Sequence, residues 1–297
     1  MLEKWVIPTF IMTLVGGFYV TLIKICENTY EASSLIPFCF FINAIMSTIK
    51  NIYDKVDLQF EKFSCGAGIT FGLTMYYFSK AISLIQNPAA AVVVARAQVI
   101  LTFFGGILLF KTKFSYKKLI AILTILLGSF FTAKGQIKTI KGFDWLKYAI
   151  YACIWSSVND LFSKAALNVT TTPVYLNVEL ISAAITTIII QYLTTKNFGP
   201  QKKKKASGKT TVEILNKYPA ISFIMLIVFQ YLMLYYTGVA FNLASNPAYP
   251  RSFFDAGNIL ITCISSFILE KGASLNAGEI TGVIMAMTGA VGLALWN

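Results

Sequence analysis

NPAYPRSFFD, residues 246–255, stands inside an otherwise apolar stretch and carries two prolines, an arginine and an aspartate. Charges are expensive within a membrane-spanning segment and usually mark a pathway or a site. The stretch has a partner. NPAAAVVVAR, residues 87–96, opens with the same Asn-Pro-Ala triplet, so Asn87 and Asn246 lie 159 positions apart. At that spacing Tyr76, Tyr77, Ala81 and Leu84 coincide with Tyr235, Tyr236, Ala240 and Leu243. Ile100-Leu101 coincides with Ile259-Leu260, and Arg96 falls on Asp255. The chain reads as an internal duplication with opposite charges at one equivalent position.

Working outward, 56% of the 297 residues are hydrophobic and the mean hydropathy is +0.67. A soluble domain is about 45–50% apolar, so these values point to a polytopic membrane protein in contact with the lipid bilayer. The net charge of +12 comes from lysines outside the apolar stretches, with no basic face on a soluble fold, which argues against a nucleic-acid partner. Histidine is absent, which excludes His-based catalysis and His metal ligation. The five cysteines, Cys26, Cys39, Cys65, Cys153 and Cys263, are scattered and fit neither a disulfide framework nor a metal site. Nothing resembles a phosphate-binding loop or a nucleophile triad. No enzyme activity, cofactor or metal is expected.

Ten apolar stretches have the length, about 20 residues, that a membrane helix needs. They run 5–25, 35–52, 63–85, 88–110, 116–133, 145–167, 173–193, 220–243, 247–269 and 277–296. Trp5, Trp145 and Trp296 stand at stretch ends and read as interface anchors. The fold class expected is an all-α polytopic membrane protein with ten transmembrane helices in two five-helix repeats, residues 1–138 and 139–297. The first helix of each half aligns at a spacing of 140, through Trp5 with Trp145 and Lys24 with Lys164. The change to 159 places extra chain in the polybasic loop 194–218, which contains KKKK at 202–205. An odd number of helices per half inserts the halves in opposite orientations, an inverted repeat of the kind found in many secondary transporters.

The tyrosine-rich third and eighth stretches ending in NPA, together with GGILLFKTKFS (105–115) and SSFILEKGASL (265–275), make the chain resemble the drug/metabolite transporter superfamily, EamA type. Glu270 matches the acidic residue of that family pattern and Lys111 departs from it. Gly128 and Gly289 match its helix-packing glycines. The resemblance implies both termini in the cytoplasm, a central cavity between the halves, and alternating-access transport of a small metabolite. It leaves open which membrane holds the protein, the direction of transport and the oligomeric state.

Candidate site residues follow from depth. Arg96 and Asp255 each lie eight residues past a proline, about 12 Å in at ~1.5 Å per residue, but from opposite faces. They could meet near the midplane, either as a structural salt bridge or as a substrate-binding or gating pair. Arg251 lies one turn before Asp255, and two arginines to one aspartate favour an anionic or zwitterionic substrate such as an amino acid. Asn87, Asn246, Tyr77 and Tyr236 complete the symmetric set. Asp160, Lys164 and Glu179 form a second set, a possible gate. Of these, Glu179 has no opposite charge at helical spacing and is the better placed for proton coupling. The competing readings are exchange of phosphate esters or nucleotide sugars, and a membrane scaffold that transports nothing.

Overall fold

A computed structural model of the chain describes residues 3–26, 32–84, 89–137, 143–196, 219–269 and 276–296. Its elements are α1 (Val6–Cys26), α2 (Ala32–Tyr53), α3 (Lys62–Ser83), α4 (Ala89–Arg96), α5 (Gln98–Phe110) and α6 (Tyr116–Ile137), followed by α7 (Asp144–Leu167), α8 (Thr172–Thr195), α9 (Pro219–Leu243), α10 (Ala248–Leu269) and α11 (Ala277–Leu295). The described residues contain no strand. The helices fall on the ten apolar stretches, the fourth in two pieces. Asn87, Glu270 and most of the loop 194–218 lie outside the described residues.

Among the described residues, six stretches are long and apolar enough to cross a membrane: α2, α4 with α5, α6, α8, α9 and α11. That composition makes the chain a multi-pass membrane protein.

Helix ends follow local chemistry. Glu61 caps α3, its carboxylate accepting from the backbone N–H groups of Phe63, at 2.8 Å, and Ser64. Asn276 and Glu279 form a reciprocal capping box on α11. Lys111 and Lys196 end α5 and α8 with φ of 54° and 58°, the left-handed conformation that closes a helix C-terminus.

Packing follows a regular plan. α3 lies on α7 and α8, α1 lies on α9 and α10, α2 lies on α8, and α6 lies on α11. The α6–α11 contact depends on missing side chains. A Cβ on Gly128 would stand 2.6 Å from the Gly282 carbonyl oxygen, and one on Gly289 would stand 2.7 Å from that of Ala121. Small residues let two backbones approach where lipid offers no hydrophobic drive. Interhelical hydrogen bonds join the rest. Asn43 donates to Gln230 at 2.8 Å, Thr48 to Asn177 at 2.9 Å, and Asn51 to the Pro173 carbonyl at 3.0 Å.

Trp5 and Trp145 are buried, at 1% and 8% exposure, so they are core residues and not the interface anchors their stretch-end positions suggest. Trp5 packs against Tyr249 and Phe253 and donates its indole N–H to Glu3. Its neighbours are supplied by α10, which helix-end position alone does not reveal.

Candidate functional site

The interior charges gather where α4 and α5 meet α7 and α10. The fourth span is interrupted at Ala97, between Arg96 and Gln98. Tighter i to i+3 bonds replace the regular ladder there, from Ala97 N–H to the Val94 carbonyl at 3.2 Å and from Ile100 N–H to the Ala97 carbonyl at 3.1 Å. Broken helices near the midplane commonly mark transporter sites.

Gln98 is the hub. Its side-chain amide is assigned with the oxygen toward Arg251, the orientation that satisfies both sides. In that orientation the oxygen accepts from Arg251 Nε at 2.7 Å and Nη2 at 2.8 Å, and the amide nitrogen donates to Ser156. Ser157 donates to the Gln98 backbone carbonyl at 2.8 Å. One side chain thereby ties α5 to α7 and α10. Arg251 is half-buried, with its guanidinium 5.6 Å from the Phe254 ring centre. It points to the polar centre rather than snorkelling outward.

The acids are more deeply buried than the arginines. Asp160 is 1% exposed and Asp255 5%, whereas Arg96 and Arg251 are half-buried. Asp160 accepts from Thr102 at 3.3 Å. Asp255 lies within electrostatic reach of Arg251 and Arg96. Among the described residues, however, no arginine or lysine nitrogen comes within 4 Å of either acid. Arg96 reaches Ser129 of α6 at 3.5 Å. The sequence expectation of an Arg96–Asp255 contact is therefore met only as a longer-range attraction. The guanidinium of Arg96 turns toward Ser129 of α6 instead of closing on the carboxylate.

The second set also differs from its sequence reading. Lys164 does not pair with Asp160 one turn away. Its ammonium donates to the carbonyls of Phe241, at 3.0 Å, and Asn242, at 3.3 Å, at the C-terminal end of α9. A cation at a helix C-terminus satisfies both free carbonyls and dipole. Glu179 sits apart, between α3, α7 and α8. Its Oε1 lies 3.5 Å from the Asn159 amide, which also donates to the Ala67 carbonyl at 2.8 Å. Its Oε2 has no hydrogen-bond partner among the described residues.

Asn246 holds the turn before α10. Its amide donates to the Phe103 carbonyl at 3.0 Å and to Thr112 at 3.2 Å, while its oxygen accepts from the Ala248 N–H at 3.0 Å. Gly106 leaves the space its side chain enters. At the same end Lys118 bridges to Glu3 at 2.5 Å and lies 4.3 Å from the Tyr249 ring centre. Tyr77 belongs to the opposite end, packed on Tyr76 and on Tyr148 and Tyr151 of α7. Tyr236 packs edge-on against Tyr235, the same arrangement as Tyr76 with Tyr77. An apolar groove of about 360 Å³ between α2 and α8 is lined by residues such as Phe41, Ile45 and Ile185 and stands apart from the charged centre.

Gln98, Thr102, Ser156, Ser157 and Ser129 escape a search for charges because they are neutral. The legible signal was their polarity within apolar stretches, above all the run Ser156-Ser157-Val158-Asn159-Asp160. No group of His, Cys, Asp and Glu among the described residues could hold a metal ion.

No family model and no curated protein matches the chain. Solved structures do. One, described only as the crystal structure of a protein, superposes with a TM-score of 0.75, covers 99% of this chain and 99% of its own, and is 14% identical. At that identity the likeness is one of fold alone.

Proposed function

We propose that the chain is a secondary transporter of the EamA type that moves a small zwitterionic or anionic metabolite, such as an amino acid, by alternating access. The observation that carries this reading is the buried polar centre. Arg96, Asp160 and the pair Arg251 and Asp255 come from three spans, α4, α7 and α10, and converge beside a helix break, and intramembrane charges of this kind usually line a pathway.

The reading includes ten spans in two inverted halves with both termini cytoplasmic; the packing plan supports its two-half organisation, apart from the α3–α8 contact, whose counterpart α9–α2 is slight. Exchanging each helix of the first half for its counterpart in the second turns the α3–α7 contact into α9–α1. It turns the contact of α4 and α5 with α7 into that of α10 with α1, and α4–α6 into α10–α11. The α2–α8 and α6–α11 contacts map onto themselves. Two halves related by a pseudo-two-fold axis would produce that pattern.

Exposure differs between equivalent positions. Val93, Ala95 and Arg96 are half-buried, whereas Ser252, Phe254 and Asp255 are buried. The Glu3 end is also sealed by the Asn246 and Lys118 contacts. These features fit a state closed at the Glu3 end and looser at the other. Glu179, unpaired by any cation within 4 Å among the described residues, is the residue we assign to a coupling proton. The phosphate-ester reading is less well supported, because the interior holds as many carboxylates as arginines at its centre.

The test is uptake into proteoliposomes over amino acids, organic acids, sugar phosphates and nucleotide sugars. We expect saturable uptake of an amine- or carboxylate-bearing solute. Correctly inserted protein that moves none of them would overturn the proposal.

A further inference from the structure

Donors and acceptors are unevenly shared across the polar centre. Arg251 gives two N–H groups to the neutral Gln98 oxygen, and Arg96 reaches Ser129 among its partners. The acidic side is short of donors. Asp160, 1% exposed, accepts from Thr102 at a long 3.3 Å. Asp255, 5% exposed, has an Oδ2 with no hydrogen-bond partner among the described residues. Three residues further along the same face of α10, Asn258 is 8% exposed and its Oδ1 also has no partner. α5 joins the two carboxylates' helices here, Thr102 donating to Asp160 and Gln98 accepting from Arg251, one turn before Asp255.

A carboxylate offers about four acceptor positions, and leaving them unmade in a buried site is costly. What this side lacks is a positive group with several N–H donors. Thr102 can give one proton. Lys164, the nearest lysine along α7, is engaged by the carbonyls at the end of α9. A bound anion would bring further acceptors and worsen the imbalance. An ammonium group brings three donors and one positive charge.

We infer that Asp160 and Asp255, with Asn258 beside them, form a subsite for the ammonium group of a primary amine or amino zwitterion. This rests on the transport reading of the same site and narrows it. A carboxylate on the same solute would face Arg251 and Arg96, and solutes without an amine would lack the anchoring group.

The test is the thermal unfolding midpoint of the full-length protein in detergent with matched probes. L-alanine, ethylamine and propionate form one set; L-leucine, isopentylamine and 4-methylpentanoate form the other. Each set keeps one side chain and removes in turn the carboxylate or the amine of the zwitterion. We expect an amine and its zwitterion to raise the midpoint of the wild type. Asp255→Asn and Asp160→Asn should each weaken the amine response at least about tenfold, the loss of a charge-assisted contact. The response to the acid should be unchanged in both variants. Comparing probes on the wild type needs no variant to fold.

Stabilisation by the acids alone would overturn the ammonium subsite and leave the transport reading standing. An amine response that survives in both Asn variants would also overturn it. No response to any of the six probes would overturn it too, and the transport reading would then rest on the liposome uptake screen.

Discussion

At the scale of single residues, chemistry was legible where it was charged and hidden where it was neutral. Arg96, Arg251, Asp160, Asp255 and Glu179 stand out in apolar surroundings because burying a charge is costly. Gln98 does not stand out, yet it joins three helices. Helical rise gives a residue's position along its helix axis. The direction of a side chain around the axis was not legible, which is why Arg96 faces Ser129 and Lys164 caps α9 instead of meeting an aspartate. That geometry sharpens a prediction for the Arg96/Asp255 pair. Removing either charge unbalances the centre at a cost of roughly 2.5–3.5 kcal/mol on insertion scales, so Arg96→Ala and Asp255→Ala should each lose uptake. The double swap, Arg96→Asp with Asp255→Arg, preserves net charge. Because the two groups hold different neighbours, the swapped protein should insert normally and remain inactive in liposomes. Recovered transport would show a purely structural pair.

At the scale of elements, helix positions were readable from apolar length alone, and the polar turns between them were equally plain. The break at Ala97 was not. Nothing in AAAVVVARAQVILTFF resembles a helix stop, and Ala97 keeps helical dihedrals, φ −59° and ψ −14°. The interruption stands beside the interhelical contacts of Gln98 and is not marked by propensity. The glycines of α6 and α11 were recognisable as packing positions, but their partners were not. Gly282 meets the Gly128 carbonyl, so a Cβ there would lie 2.6 Å from that oxygen. Gly282→Ala should therefore destabilise the protein by about 1–3 kcal/mol through overpacking, read as a lower unfolding midpoint in detergent. Substituting Gly278, whose nearest atoms are 3.1 Å and 3.7 Å away and include a side-chain oxygen, should cost less. Equal effects at both positions would contradict the close-packed seam.

At the scale of the whole molecule, the duplication read from the sequence rests on few residues: the Asn-Pro-Ala triplets, the paired tyrosines and the glycines. The difference in exposure between the halves was not visible, since equivalent residues in different environments can have the same identity. That difference is the basis of the alternating-access proposal, and it can be tested at one pair of equivalent positions. Val93 lies three residues before Arg96 and Ser252 three before Asp255, so each shares the face of its charged neighbour. The decisive measurement is the reaction of a membrane-impermeant thiol reagent with Val93→Cys and, separately, Ser252→Cys. Both are made in protein whose five native cysteines have been replaced by alanine, reconstituted in liposomes and probed from each face. Val93→Cys should react from the face away from Glu3 in the state described, and Ser252→Cys from the Glu3 face in the opposite state of the cycle. Adding the transported solute should shift the two rates in opposite directions. Reaction of both from one face, or of neither from any face, would contradict the alternating-access proposal.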